Sequence, residues 1–174
     1  VTSNGMAIGL FGTLIIGTIF DLFAKIPMMG AISSWTTPLK EILMGAGIGV
    51  GVALAKKRSG VAVIAILSAG AIGNYAFSFS TGEVTLIKDP LSCYVSTLLA
   101  LLVIKLVMRK KTPVDLILIP LLGVGTAMLY SFLLATPIHY ITIGIGELIR
   151  LCFSNIVISF FMCILVSMLV GMAL

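Results

Sequence analysis

Charge is absent from residues 1–20, 42–55, 59–82, 90–104, 116–146 and 151–174. Apolar runs of this length leave few folds open. A membrane-spanning helix needs about 20 mainly apolar residues, with a range of roughly 17–25. In lipid, only helices and closed barrels satisfy every backbone hydrogen bond. A barrel strand alternates apolar and polar residues over about 10 positions; Leu98-Leu99-Ala100-Leu101-Leu102-Val103-Ile104 does not alternate. The fold class is therefore all-α, a polytopic transmembrane helical bundle. Composition agrees: 60% of residues are hydrophobic, 10% are charged, and mean hydropathy is +1.25. Soluble domains carry about 25% charged residues, and a soluble sphere cannot hide this much apolar side chain. A soluble enzyme, a nucleic-acid binder and a disordered chain are excluded.

Proline marks the helix starts. Thr37-Pro38, Asp89-Pro90, Thr112-Pro113 and Thr136-Pro137 each set a capping side chain before a proline. Proline fits the first helical position, and Thr or Asp can accept the free N–H groups that follow. Six spans result: about Gly5–Phe23, Pro38–Ala55, about Gly60–Phe77, Pro90–Met108, Pro113–Ala135 and about Phe153–Leu174. Pro137–Arg150 reads as a shorter interfacial or re-entrant helix. Asp115 lies in the first turn after Pro113, where its charge favours the helix dipole. Pro120 should kink the fifth span.

Two basic clusters, Lys56-Lys57-Arg58 and Arg109-Lys110-Lys111, fall at the same end of this six-span arrangement. Basic loops stay cytoplasmic, so both termini are expected in the cytoplasm. The net charge of +5 then needs no polyanionic partner. Cys93, Cys152 and Cys163 have no metal or redox spacing and read as small apolar fillers. The first apolar segment has no basic n-region and no small-residue cleavage site, unlike a secretory signal. The chain starts at Val1 and stops within an apolar run, so residues 1–174 read as one transmembrane domain, a fragment of a longer chain.

Several residues could carry chemistry. Gly45/Gly49 and Gly47/Gly51 form two G-x-x-x-G pairs, a pattern that lets helix backbones approach closely. The alternative is a path lined by bare backbone. The segment from Gly70 to Glu83 mixes Asn74, Ser78, Ser80 and Thr81 with Tyr75, Phe77 and Phe79. Hydroxyls, an amide and aromatic rings suit a sugar; an interfacial loop with an aromatic belt would use the same residues. Glu147 stands three residues before Arg150, which suits a local ion pair. It could instead turn a carboxylate into a polar cavity, because ionisable groups at membrane depth are expensive. His139, Asp21, Trp35 and Tyr140 read as interfacial. No nucleophile–base set and no metal-ligand set is present, so no catalytic residue, cofactor or metal is assigned.

Gly5-Met6-Ala7-Ile8-Gly9-Leu10-Phe11, followed by Leu14-Ile15-Ile16-Gly17-Thr18-Ile19, resembles the opening of a bacterial membrane-protein family. That family is the EIIC-like group of the sugar phosphotransferase system, which includes the perfringolysin regulators. The run Lys111–Pro120 resembles its cytoplasmic-loop motif. The Gly45–Gly51 stretch, Thr81-Gly82-Glu83 and Gly146-Glu147 follow in the family's order. Members are longer, which implies a C-terminal portion beyond this chain. The resemblance implies a sugar permease domain of the bacterial inner membrane. It would bind and translocate a sugar or similar polar small molecule, and cytoplasmic phosphotransferase components would carry the phosphoryl group. The expected substrate-binding residues are Asn74, Glu83 and Glu147, with Ser78, Ser80 and Thr81 as further hydrogen-bonding groups. The expected partners are the lipid bilayer, that small molecule, those cytoplasmic components and further copies of the chain, with no nucleic acid. The alternatives are a membrane regulator or sensor without transport, and a channel-like or structural oligomer.

Overall fold

The computed structural model describes residues 2–26, 30–58, 60–79, 81–107, 115–154 and 156–173. Helix α1 (Thr2–Leu10), a π-helical turn (Phe11–Ile15) and α2 (Ile16–Phe23) form a helical rod of 22 residues. Next come α3 (Ile32–Glu41), α4 (Leu43–Ala55) and α5 (Val61–Ile72). A hairpin follows, with β1 (Tyr75–Ser78) antiparallel to β2 (Glu83–Leu86) and Tyr75 opposite Leu86. Helices α6 (Pro90–Val107), α7 (Asp115–Leu133), α8 (Ala135–Phe153) and α9 (Ile156–Ala173) complete the order.

Among the described residues, the α1–α2 rod, α6 and α7 are long and apolar enough to cross a membrane. The pair α3/α4 makes a fourth candidate, bent by 54°. The structure thus supports three or four spans where six are expected from the apolar runs. Two causes are local. The second expected span is broken near Ile42. The third stops at Ile72: its 12 residues reach about 18 Å, against a hydrocarbon core of about 30 Å. The all-α expectation is corrected to mostly helical, because the residues after Asn74 pair as strands.

Pro38 does not start a helix. It lies inside α3, and the Thr37 hydroxyl donates back to the Ser33 carbonyl (2.7 Å) instead of capping the residues ahead. Such back-bonding competes with a cap. Pro137 is the third residue of α8, and the Thr136 hydroxyl donates to the Phe77 carbonyl at 3.2 Å. Pro90 opens α6, and Asp89 Oδ1 accepts the Leu91 N–H at 3.0 Å, an N-cap bond. Helix α7 runs on through Pro120. Thr112-Pro113 and Arg109-Lys110-Lys111 lie outside the described residues.

Helix α4 sits between α1 and α5, and its glycines divide between them. A Cβ added at Gly45 would strike the Gly70 carbonyl, and one at Gly49 would lie 2.5 Å from the Ile66 carbonyl oxygen. Gly45 and Gly49 therefore face α5. A Cβ at Gly47 would lie 2.6 Å from the Thr13 methyl, and one at Gly51 would strike the Gly5 carbonyl. Gly47 and Gly51 therefore face the first rod, where Gly5 and Gly9 answer them. Met44, Ile48, Val52 and Cys93 fill a buried cluster beside these contacts, with Met6 and Leu10 packed against it. Cys93 is buried, Cys152 half-buried and Cys163 exposed; all three are free thiols. Farther along the rod, Gly17 leaves room for the Lys40 side chain. Lys40 Nζ meets Asp21 Oδ2 at 2.5 Å, and the Thr36 hydroxyl donates to Asp21 Oδ1 at 2.8 Å. This clasp joins α2 to α3.

Candidate functional site

The termination of α5 creates the site. Gly73 and Asn74 turn the chain out of the helix, and the hairpin then lies against the junction of α7 and α8. Its anchors are hydrogen bonds: the Ser131 hydroxyl donates to the Tyr75 carbonyl (2.6 Å), and the Thr136 hydroxyl donates to that of Phe77. The Ile87 N–H donates to the Asn74 carbonyl at 2.9 Å and closes the base of the hairpin. At the tip, Phe77, Phe79 and Phe132 form a triangle with ring centroids 4.9–5.2 Å apart.

Between the hairpin and the first turns of α8 lies an open cavity of about 580 Å³. That size suits a small-molecule ligand. The hairpin side supplies Ala76, Phe77, Ser78, Phe79, Thr85 and Leu86. Helix α8 supplies Thr136, His139, Tyr140 and Ile143, which recur at helical spacing and so share one face. The walls combine aromatic rings with hydroxyls and one imidazole.

A group of polar residues adjoins the base of the hairpin. Asn74 is fully buried; its Nδ2 donates to the Glu41 carbonyl, the last residue before the bend between α3 and α4. Its Oδ1 is buried without a partner. Lys88, at a left-handed φ of 51°, pairs with Glu41 Oε1 at 2.7 Å. Asp89 is 3% exposed, and its Oδ2 lies 3.8 Å from His139 Nδ1. The Ser92 hydroxyl donates to the Gly73 carbonyl (2.7 Å), so the Tyr130 hydroxyl, 2.9 Å away, donates to Ser92.

Among the residues expected from sequence to bind substrate, Ser78 lines the cavity and Asn74 belongs to the polar group at the base of the hairpin. Glu83 opens β2 opposite Ser78, and both Glu83 and Thr81 are exposed. Ser80 lies outside the described residues. Glu147 is exposed and 3.6 Å from Arg150. It continues the His139–Ile143 stripe of α8 one turn past the cavity. Trp35 and Tyr140 are exposed, at 79% and 68%.

Glu41, Asp89 and His139 were not among the expected site residues. Asp89 shows in the sequence only as a cap, and His139 only as an interfacial ring. One usable signal was present: His139, Ile143 and Glu147 repeat at i, i+4, i+8 and so share one face of α8.

The family described as Phosphotransferase system, EIIC matches residues 1–174. No curated protein and no solved structure matches the chain.

Proposed function

Because the chain belongs to the phosphotransferase system EIIC family, we propose that the cavity between its hairpin and α8 receives a sugar or similar polar small molecule for translocation. The carrying observation is the lining. Phe77 and Tyr140 offer ring faces to apolar C–H faces, while Ser78, Thr85, Thr136 and His139 offer hydrogen-bonding groups. A sugar has both kinds of surface. Glu147, next along the α8 stripe, is proposed as an outer carboxylate of the same path, and Glu83 and Thr81 as rim groups of the hairpin. The setting is the bacterial inner membrane. Cytoplasmic phosphotransferase components and further copies of the chain are the proposed partners.

The test is uptake into proteoliposomes containing the full-length protein, supplied with its phosphotransferase components. Saturable uptake of one sugar above empty vesicles is expected. Sugar binding without uptake would favour a regulator, and neither binding nor uptake across a sugar panel would remove the permease reading.

Orientation is proposed from the basic clusters. Cysteines placed at Lys57 and Lys110 are expected to react only from the cytoplasmic side, and one at Lys88 only from outside. The opposite accessibility would reverse the assignment.

A further inference from the structure

Beside the cavity, two buried atoms have no hydrogen-bond partner among the described residues: Asp89 Oδ2 and His139 Nδ1. Buried polar atoms are nearly always paired, and these two lie 3.8 Å apart. A closure of about 1 Å would bring them to hydrogen-bond distance. The nearby side-chain donors each have another partner. Lys88 pairs with Glu41, Asn74 Nδ2 serves the Glu41 carbonyl, Ser92 serves Gly73, and Tyr130 serves Ser92. Asp89 Oδ1 is occupied by the Leu91 N–H. Among the described residues no donor bonds Oδ2, and the His139 imidazole stands before it at 3.8 Å.

We propose that Asp89 is a positioning residue that fixes the neutral His139 ring with its proton on Nδ1, so that Nε2 presents a lone pair to the cavity. The tautomer of an imidazole follows from the bond that its other nitrogen makes. Among the described residues Nε2 has no partner and is not among the buried unpaired atoms, and the residue lines the cavity. Thr136 and Thr85 add to the same polarity. Their hydroxyl protons go to the carbonyls of Phe77 and Ala76, at 3.2 and 3.4 Å, which leaves their oxygens as acceptors. His139 Nε2 and the Thr136 and Thr85 oxygens therefore offer acceptors to a ligand that donates several hydrogen bonds, beside the Tyr140 hydroxyl, which can donate to it. An uncharged polyhydroxyl compound is such a ligand, and a phosphate group is not. The ligand part of this inference rests on the cavity being the binding site proposed above; the tautomer does not.

The experiment is a multiple-bond ¹⁵N–¹H correlation on ¹⁵N-histidine-labelled protein in nanodiscs without sugar. His139 is the one histidine of residues 1–174, and the signals lost in His139→Asn identify its ring. The expected spectrum is that of a neutral ring protonated at Nδ1. Asp89→Asn keeps an oxygen for the Leu91 cap, since Asn and Asp cap equally well. It also places an NH₂ donor before Nδ1, so the ring proton is expected to move to Nε2. A wild-type ring protonated at Nε2, a doubly protonated ring at neutral pH, or the same tautomer in both proteins would overturn the proposal. If Asp89→Asn does not fold, the wild-type tautomer alone decides. Failure here leaves the sugar reading to the uptake test, and failure of uptake leaves the tautomer standing.

Discussion

Leucine at Gly45, Gly49 or Gly51 is expected to lower the yield of folded protein, whereas leucine at Gly125 should leave it unchanged. The difference lies in what the new side chain meets. At Gly45 and Gly49 it meets the α5 backbone, and at Gly51 the backbone of α1. At Gly125 there is open space within 4 Å. Overpacking a core costs about 1–3 kcal/mol, occasionally more. Here α4 cannot retreat from one neighbour without pressing on the other, so the upper part of that range applies. Two kcal/mol already changes the folded-to-unfolded ratio by a factor of about 30. Fluorescence-detected size exclusion of detergent-extracted protein reads the outcome as the height of the monodisperse peak. A wild-type peak for Gly51→Leu would mean that the α1–α4 contact does not hold the first rod in place.

The second large effect is expected inside the cavity. Ile143→Trp should lower sugar uptake by more than about tenfold while leaving the size-exclusion peak intact. Ile143 lines the cavity and is 45% exposed, so a larger ring can enter the void without displacing the core. A sugar denied two hydrogen bonds of about 1 kcal/mol each binds about 30-fold more weakly. Glu147 supplies the graded comparison. Glu147→Gln keeps its size and an acceptor, and Glu147→Ala keeps neither. With the carboxylate in the path, uptake should fall in the order wild type, Gln, Ala. Equal uptake in all three would reduce Glu147 to the partner of Arg150. Unchanged uptake for Ile143→Trp would place the substrate elsewhere.

How much of this could be read from residues alone differs by element. The apolar runs of the first rod, α6 and α7 were legible, because lipid demands length and hydrophobicity and little else. The bend near Ile42 was not. Pro38 has the look of a helix start, yet it sits one turn before the break, and the Thr37 hydroxyl turns back to Ser33. The hairpin had a local signature that the apolar surroundings masked. Glu83-Val84-Thr85-Leu86 alternates polar and apolar residues, and Gly82, at a φ of 69°, ends the turn before it. Such short strands are hard to separate from the end of a helix whose preceding residues are wholly apolar. In the candidate site, Ser78 and Asn74 stood out as polar groups in apolar sequence. Asp89 did not, because its visible duty at the α6 N-terminus also explains its presence.

The π-helical turn of the first rod has a bearing on where that rod tolerates a change of length. On one side of Phe11–Ile15, Gly5 and Gly9 are fitted to α4; on the other, Gly17 and Asp21 are fitted to α3. Each π-type bond encloses one residue more than an α-helical bond, so the turn absorbs a surplus residue while the two fitted faces keep their alignment. Losing Leu14 or Ile15 would convert the turn to ordinary helix and keep both faces, with Thr13 against Gly47, aimed at their partners. Losing one between Gly5 and Gly9, or between Gly17 and Asp21, would turn one part of a fitted face by about 100° against the rest. A one-residue deletion is thus best tolerated just after Thr13, which makes the rod a vernier in which one wide turn reconciles two otherwise incompatible registers.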